Sequence, residues 1–155
     1  MPSVDYLKEC RDFYARVLQP CFGAPLGASE TVVSELQQKL GFTLPESYRQ
    51  FLLWMGEDKH GPLRGSEWFV DDILSNGEFL DEFLLDNGFA ETNPVERICF
   101  FVHQGYMAAW FTGDDAEDPL CHLYSESYPE PVVSSAGAFS SFLLKELRGA
   151  AEAIT

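Results

Sequence analysis

Hydrophobic positions recur at helical spacing in several stretches and crowd at strand-like density in others. In residues 3–18, SVDYLKECRDFYARVL, Val4, Leu7, Tyr14, Val17 and Leu18 recur near helical spacing, with Ser3 placed to cap the first turn. Residues 20–28, PCFGAPLGA, hold two Pro and two Gly and read as a loop or a linker. Ser29 caps a second helix over about 30–40, whose stripe is Val32, Val33, Leu36 and Leu40 and whose end is Gly41. Pro45 opens a third helix at its first position, with Tyr48, Phe51, Leu52 and Met55 on its buried face and Gly56 as its stop.

After a loop at 57–66, Trp68-Phe69-Val70 begins a short strand or edge segment, and GEFLDEFLLD, 77–86, reads as a helix. RICFFVH, 97–103, and YMAAWFT, 106–112, are joined through Gln104-Gly105, a hairpin signal somewhat weaker than Asn-Gly. GDDAEDP, 113–119, is a turn, and LCHLYSE, 120–126, a third strand. Tyr128-Pro-Glu-Pro131 breaks it, Val132-Val133 form a short edge, and 135–147 is the last helix, with Phe139, Phe142, Leu143 and Leu147 on one face. There is no internal repeat. The order predicts an α+β fold, a mainly antiparallel sheet with helices packed on one face. It divides into an N-terminal helix and linker (1–28), the main domain (29–147) and a frayed tail (148–155).

At 155 residues and 46% apolar content the chain suits one folded domain and is too apolar to be disordered. A domain of this size buries roughly 68–70% of its unfolded surface and needs no metal or disulfide to fold. No apolar run approaches the ~18 residues of a membrane span, and the first residues lack the basic-then-apolar order of a signal peptide, so a cytoplasmic protein is expected. Cys10, Cys21, Cys99 and Cys121 show neither a C-x-x-C pair nor zinc-site spacing, and all four read as buried or half-buried thiols.

Charge sharpens this. The formal net charge is −15, which argues against nucleic acid and anionic membranes, since phosphates require a basic stripe. Residues 67–130 hold 15 acids and one base, Arg97, whereas 1–66 hold 8 acids and 7 bases. Such segregation serves either solubility or docking of a basic partner. In 77–86, Phe79, Leu80, Phe83 and Leu84 fall on one side, Glu78, Asp81, Glu82 and Asp86 on the other, with Leu85 among the carboxylates. An apolar residue ringed by charge suits an interface anchor with a steering rim, though a lone exposed Leu is common. The candidate partner-binding set is therefore Asp71, Asp72, Glu78, Asp81, Glu82, Leu85 and Asp86, with Asp114, Asp115, Glu117 and Asp118 second.

Catalytic arrangements are poorly served. Cys121 and His122 are adjacent, so on a strand they face opposite ways, and Cys99 and His103 would share a face but stand roughly 13 Å apart. No nucleophile elbow, zinc-protease motif or phosphate-binding glycine loop occurs. From Asp114, positions six and twelve of a calcium loop would be Pro119 and Ser125, which fails the pattern. No cofactor, metal or catalytic residue is expected.

The segment VVSELQQKLGFTLPESYRQFLLWMGE carries Glu35, Leu36, Leu40, Gly41, Leu44, Pro45, Tyr48, Phe51, Leu52 and Gly56. It resembles the N-terminal signature of the SUKH superfamily. Gly61, Gly65 and Trp68, then Asp114, Asp118 and Pro119, then Ser135, Phe139, Phe142 and Leu143, extend the likeness over about 29–147. Met55-Gly56 stands where the family often has Asn-Gly, and residues 1–28 lie outside it. The resemblance implies a binding scaffold without shared catalytic residues. Many bacterial members look like immunity proteins that neutralise toxins, often nucleases; a fungal cell-wall-assembly regulator domain is a relative. An immunity protein acting on a basic toxin is the leading expectation. A regulatory or scaffolding module without a toxin is the second, and a small Cys/His hydrolase the third.

Overall fold

Pro20 shapes the start of the chain. In the computed structural model, which describes residues 4–89, 97–112, 116–130 and 133–154, α1 (Lys8–Phe13) runs into a π-helical turn (Tyr14–Leu18) and then α2 (Gln19–Phe22). A proline inside a helix lacks the N–H and collides with the carbonyl four residues back. The widened π turn just before Pro20 accommodates both defects. Residues 20–22 are thus helix, where the sequence suggested loop. Ser3, the expected cap, lies outside the described residues; the Asp5 carboxylate instead accepts from the Leu7 N–H at 3.2 Å.

Residues 23–28 are no free linker. The Ala28 N–H donates to the Leu52 carbonyl at 2.9 Å and the Glu57 N–H to the Leu26 carbonyl at 3.0 Å. Gly27 lies so close to the end of the following hairpin that a Cβ there would stand 1.8 Å from the Leu53 carbonyl oxygen. Leu7, Cys10, Tyr14 and Leu18 accordingly share one core with the rest of the chain.

The hairpin of α3 (Glu30–Leu40) and α4 (Glu46–Met55) follows its local signals. Ser29 Oγ accepts from the Val32 N–H at 3.2 Å, and Gly41 ends α3 in the left-handed region at φ 84°. Pro45 is the cap residue of α4 and not its first helical one. Tyr48, Phe51, Leu52 and Met55 are fully buried. Trp68 stands among Phe51, Phe100, Phe101 and Phe142 with centroids 5.0–5.8 Å away, contacts worth about 0.5–1.5 kcal/mol each beyond area burial. Trp68–Val70 form no strand; the backbone pairs with the sheet there through the isolated bridge Glu67–Val102.

Strands β1 (Arg97–His103), β2 (Met107–Thr112), β3 (Leu120–Ser125) and β4 (Ser134–Ala138) form an antiparallel sheet in sequence order. Gln104 and Gly105 both have positive φ, the turn that hairpins favour. A register shift between Cys99 and Phe101 breaks the alternation of β1. Ile98, Phe100 and Phe101 join the large core, while Cys99 and Val102 join a smaller one with Leu80, Phe83, Ala108, Trp110 and Tyr124. The fold is α+β as expected, but helices cover both faces of the sheet. α4, α6 (Phe139–Ala153) and the N-terminal helix belong to the large core, and α5 (Ile73–Asp86), apart from Ile73 at its start, to the small one.

Two further boundaries move. Residues 135–138 are strand, because Ser134, Ser135 and Ala138 pair with β3 and Gly137 has φ 77°. The helix then runs on to Ala153 with Leu147 and Ala151 buried, so 148–153 continue α6 where fraying was expected. Val132 lies outside the described residues. Among these, no helix is long and apolar enough to cross a membrane.

Candidate functional site

α5 begins at Ile73, four residues before the sequence signal, because its first turn is tied down from inside. Asn76 is fully buried, and its Nδ2 donates to the Glu67 carbonyl at 3.0 Å. Asp72 Oδ2 accepts from the Phe69 N–H at 3.1 Å. Ile73, Leu80 and Phe83 fill the inner face.

At about 100° per residue, Leu74, Glu78, Asp81 and Leu85 form one outer stripe, with Glu82 and Asp86 beside it, and all six are exposed. Leu74 is 43% and Leu85 53% exposed, and they lie about 16 Å apart along the axis at 1.5 Å per residue. Leu74 was not legible as a site residue because it precedes the expected helix start; its spacing of eleven from Leu85 was the available signal.

The predicted acids fall into different situations. Asp81 pairs with Arg97 yet keeps an exposed carboxylate. Asp71 pairs with Lys59; that ammonium lowers the Asp71 carboxyl, and Asp71 raises the lysine. Glu78, Glu82 and Asp86 have no hydrogen bond or ion pair among the described residues. Glu117 and Asp118 do not join this stripe. The Glu117 carbonyl accepts from the Ser47 N–H at 2.8 Å at the start of α4. Its carboxylate takes the Tyr6 hydroxyl, raising that phenol to about 12. Asp118 holds the start of α6 through Ser140. Both thus sit with helices of the large core. Asp114 and Asp115 lie outside the described residues.

His60 is exposed, and His122 lies against Trp110 at 5.9 Å. His103 Nδ1 meets Ser66 Oγ at 2.6 Å and its ring stacks on Phe101. The bulge in β1 therefore turns His103 to the face opposite Cys99, against the shared face that uninterrupted alternation implied. Burial pushes the thiols of Cys10, Cys99 and Cys121 up to about 12, so they stay protonated and unreactive at neutral pH. Cys21 is exposed, contrary to the expectation for it; all four are free. Among the described residues, no three His, Cys, Asp or Glu side chains group so as to hold a metal ion.

The family model described as "SMI1 / KNR4 family (SUKH-1)" matches residues 27–145. The chain belongs to the SMI1/KNR4 family, SUKH-1. The matched span takes in α3 through the first two turns of α6, so the acidic stripe of α5 lies on the SUKH-1 domain itself. The N-terminal helix precedes the match yet contributes Leu7, Cys10, Tyr14 and Leu18 to the SUKH-1 core. A search of curated proteins found no match.

Proposed function

We propose that this SUKH-1 domain acts without chemistry of its own, by binding a basic protein partner through the outer face of α5. The partner in this reading is a toxin domain, in particular a nuclease, which the protein neutralises by occlusion. The observation that carries it is the stripe itself: the carboxylates of Glu78 and Glu82 between two exposed leucines, Leu74 and Leu85, with that of Asp86 just beyond, all three without an ion pair among the described residues. Glu78/Glu82 and Glu82/Asp86 are like-charged i,i+4 pairs that each cost the helix about 0.2–0.5 kcal/mol. Folding gains nothing from them, whereas opposite fields raise association rates ~10–10³-fold, which suits an inhibitor that must reach its target before the target reaches substrate.

Pull-down with the intact chain and mass spectrometry identifies the partner, and a toxin gene beside this one supports the immunity reading. Charge reversal at Glu82 and Asp86 slows association and flattens its salt dependence, while Leu74→Ala and Leu85→Ala mainly speed dissociation. Association insensitive to both salt and charge reversal leaves the acidity as a solubilising surface and removes this assignment. Membership of the SMI1/KNR4 family also favours a second reading, a regulatory scaffold using the same face without a toxin.

A further inference from the structure

An open cavity of about 360 Å3 lies between the 59–69 loop, the first turn of α5, the end of β1 and the hairpin turn at Gln104. Its lining is amphipathic in a particular way. Phe69 and Val102 supply apolar wall, and Glu67, Asp72 and Gln104 supply acceptors. The cation among the lining residues, Lys59, is paired with Asp71 and is also attracted by Asp72, so one ammonium faces three carboxylates, Glu67, Asp71 and Asp72. Among the described residues the Glu67 carboxylate has no hydrogen bond or ion pair, and Asp72 uses only Oδ2, on the Phe69 N–H. Asp72 also occupies the positive end of α5, so the helix terminus is not an open anion site. The unmet demand in this cavity is for a cation with several donors in a plane and a stem that can lie on apolar carbon. That describes a guanidinium, which bridges two carboxylates with its fork of N–H groups; an ammonium is a point charge that cannot.

The cavity also adjoins the outer stripe of α5, since Asp72 lines it and Leu74 follows two residues on. We propose that it receives a single arginine side chain of the basic partner, held by Glu67 and Asp72 with Gln104 at its rim. This rests on the docking reading for the source of the arginine, and it adds a specificity element that the stripe lacks. The stripe attracts any basic surface, whereas the cavity selects one side chain.

The test needs no partner. Backbone amide NMR shifts of the full chain are followed while N-acetyl-argininamide is titrated in, with N-acetyl-lysinamide, N-acetyl-glycinamide and inorganic phosphate as parallel arms. Saturable shifts at Glu67, Val102 and Gln104 are expected with the arginine probe, several-fold weaker with the lysine probe and absent with the other two. Glu67→Gln, at an exposed position, weakens the arginine response at least fivefold and leaves the unfolding temperature unchanged. Glu82→Lys, outside the cavity, leaves the response in place. No saturable shift with the arginine probe, or an equal shift with phosphate or the glycine probe, overturns the proposal. A positive titration together with partner association insensitive to Glu82→Lys retains the arginine site and removes the α5 stripe.

Discussion

Asp118 accepts two hydrogen bonds from Ser140, one from its backbone N–H at 3.0 Å and one from its hydroxyl at 2.5 Å. Residue 140 lies in the first turn of α6, where the N–H groups lack partners within the helix. Ala138 precedes α6 as its cap residue and has no side chain able to accept. Asp118, twenty-two residues earlier, thus supplies from a neighbouring loop the cap that the local sequence lacks. Asp118→Ala is expected to cost about 1–2 kcal/mol, read as a lower midpoint in urea with an unchanged slope. Asp118→Asn, which keeps one acceptor, should lose less. If Asp118→Ala unfolds at the wild-type midpoint, the contact does not stabilise α6.

What could be read from the sequence and what could not divide along a similar line. The α3–α4 hairpin was legible because its signals are local: Ser29, Gly41 and the Tyr48–Phe51–Leu52–Met55 stripe lie within the elements they define. The second covered face of the sheet was not. Between Arg97 and His103, ICFFV is apolar throughout, as a strand buried on both sides must be, and its bulge at Phe100 left no alternation to follow. The start of α5 depends on Asn76 meeting the Glu67 carbonyl, a tertiary contact. Ser-Ala-Gly-Ala at 135–138 has no strand propensity of its own and pairs because β3 lies alongside. The site shows the same division. Glu78, Asp81, Glu82, Leu85 and Asp86 followed from periodicity. Leu74, and the cavity formed by residues separated by up to 45 positions, required the fold.

Asp58 offers a pH test. It is 7% exposed; one carboxylate oxygen accepts from the Leu26 N–H at 3.2 Å and the other has no partner among the described residues. Burial raises its carboxyl above the ordinary value, with the Leu26 N–H and His60 pulling the other way. The folded protein therefore holds this proton more tightly than the unfolded chain. The associated penalty is absent below the ordinary aspartate value and grows as pH rises through the raised one. Asp58→Asn should raise stability at pH 7 and change it little at pH 3. Equal effects at the two pH values would assign the change to packing and not to charge.

Thiol reactivity checks the packing of the sheet from both sides. Cys99 belongs to the small core, Cys121 to the large one, and Cys10 to the seam where the N-terminal helix meets it. The exposed Cys21 should react with a thiol-specific reagent in the native protein within the mixing experiment. The other three should react only as the chain unfolds, at a rate that follows denaturant. Rapid native labelling of Cys10 would show that the N-terminal helix detaches from the core.

Glu82 lies at the centre of two like-charged pairs, with Glu78 one turn before it and Asp86 one turn after. If the stripe exists for a partner, its charge is held against the interest of the isolated helix. Glu82→Lys turns both repulsive pairs into attractive ones, and since residue 82 is exposed nothing is lost from the core. The unfolding free energy should rise by up to about 1 kcal/mol at low ionic strength, and the gain should shrink as salt screens it. The same substitution should slow association with the basic partner. A more stable protein that binds more slowly is the signature of a surface selected for encounter. A variant that is no more stable than wild type in low salt would show that the carboxylates of α5 do not repel one another enough to require a functional explanation.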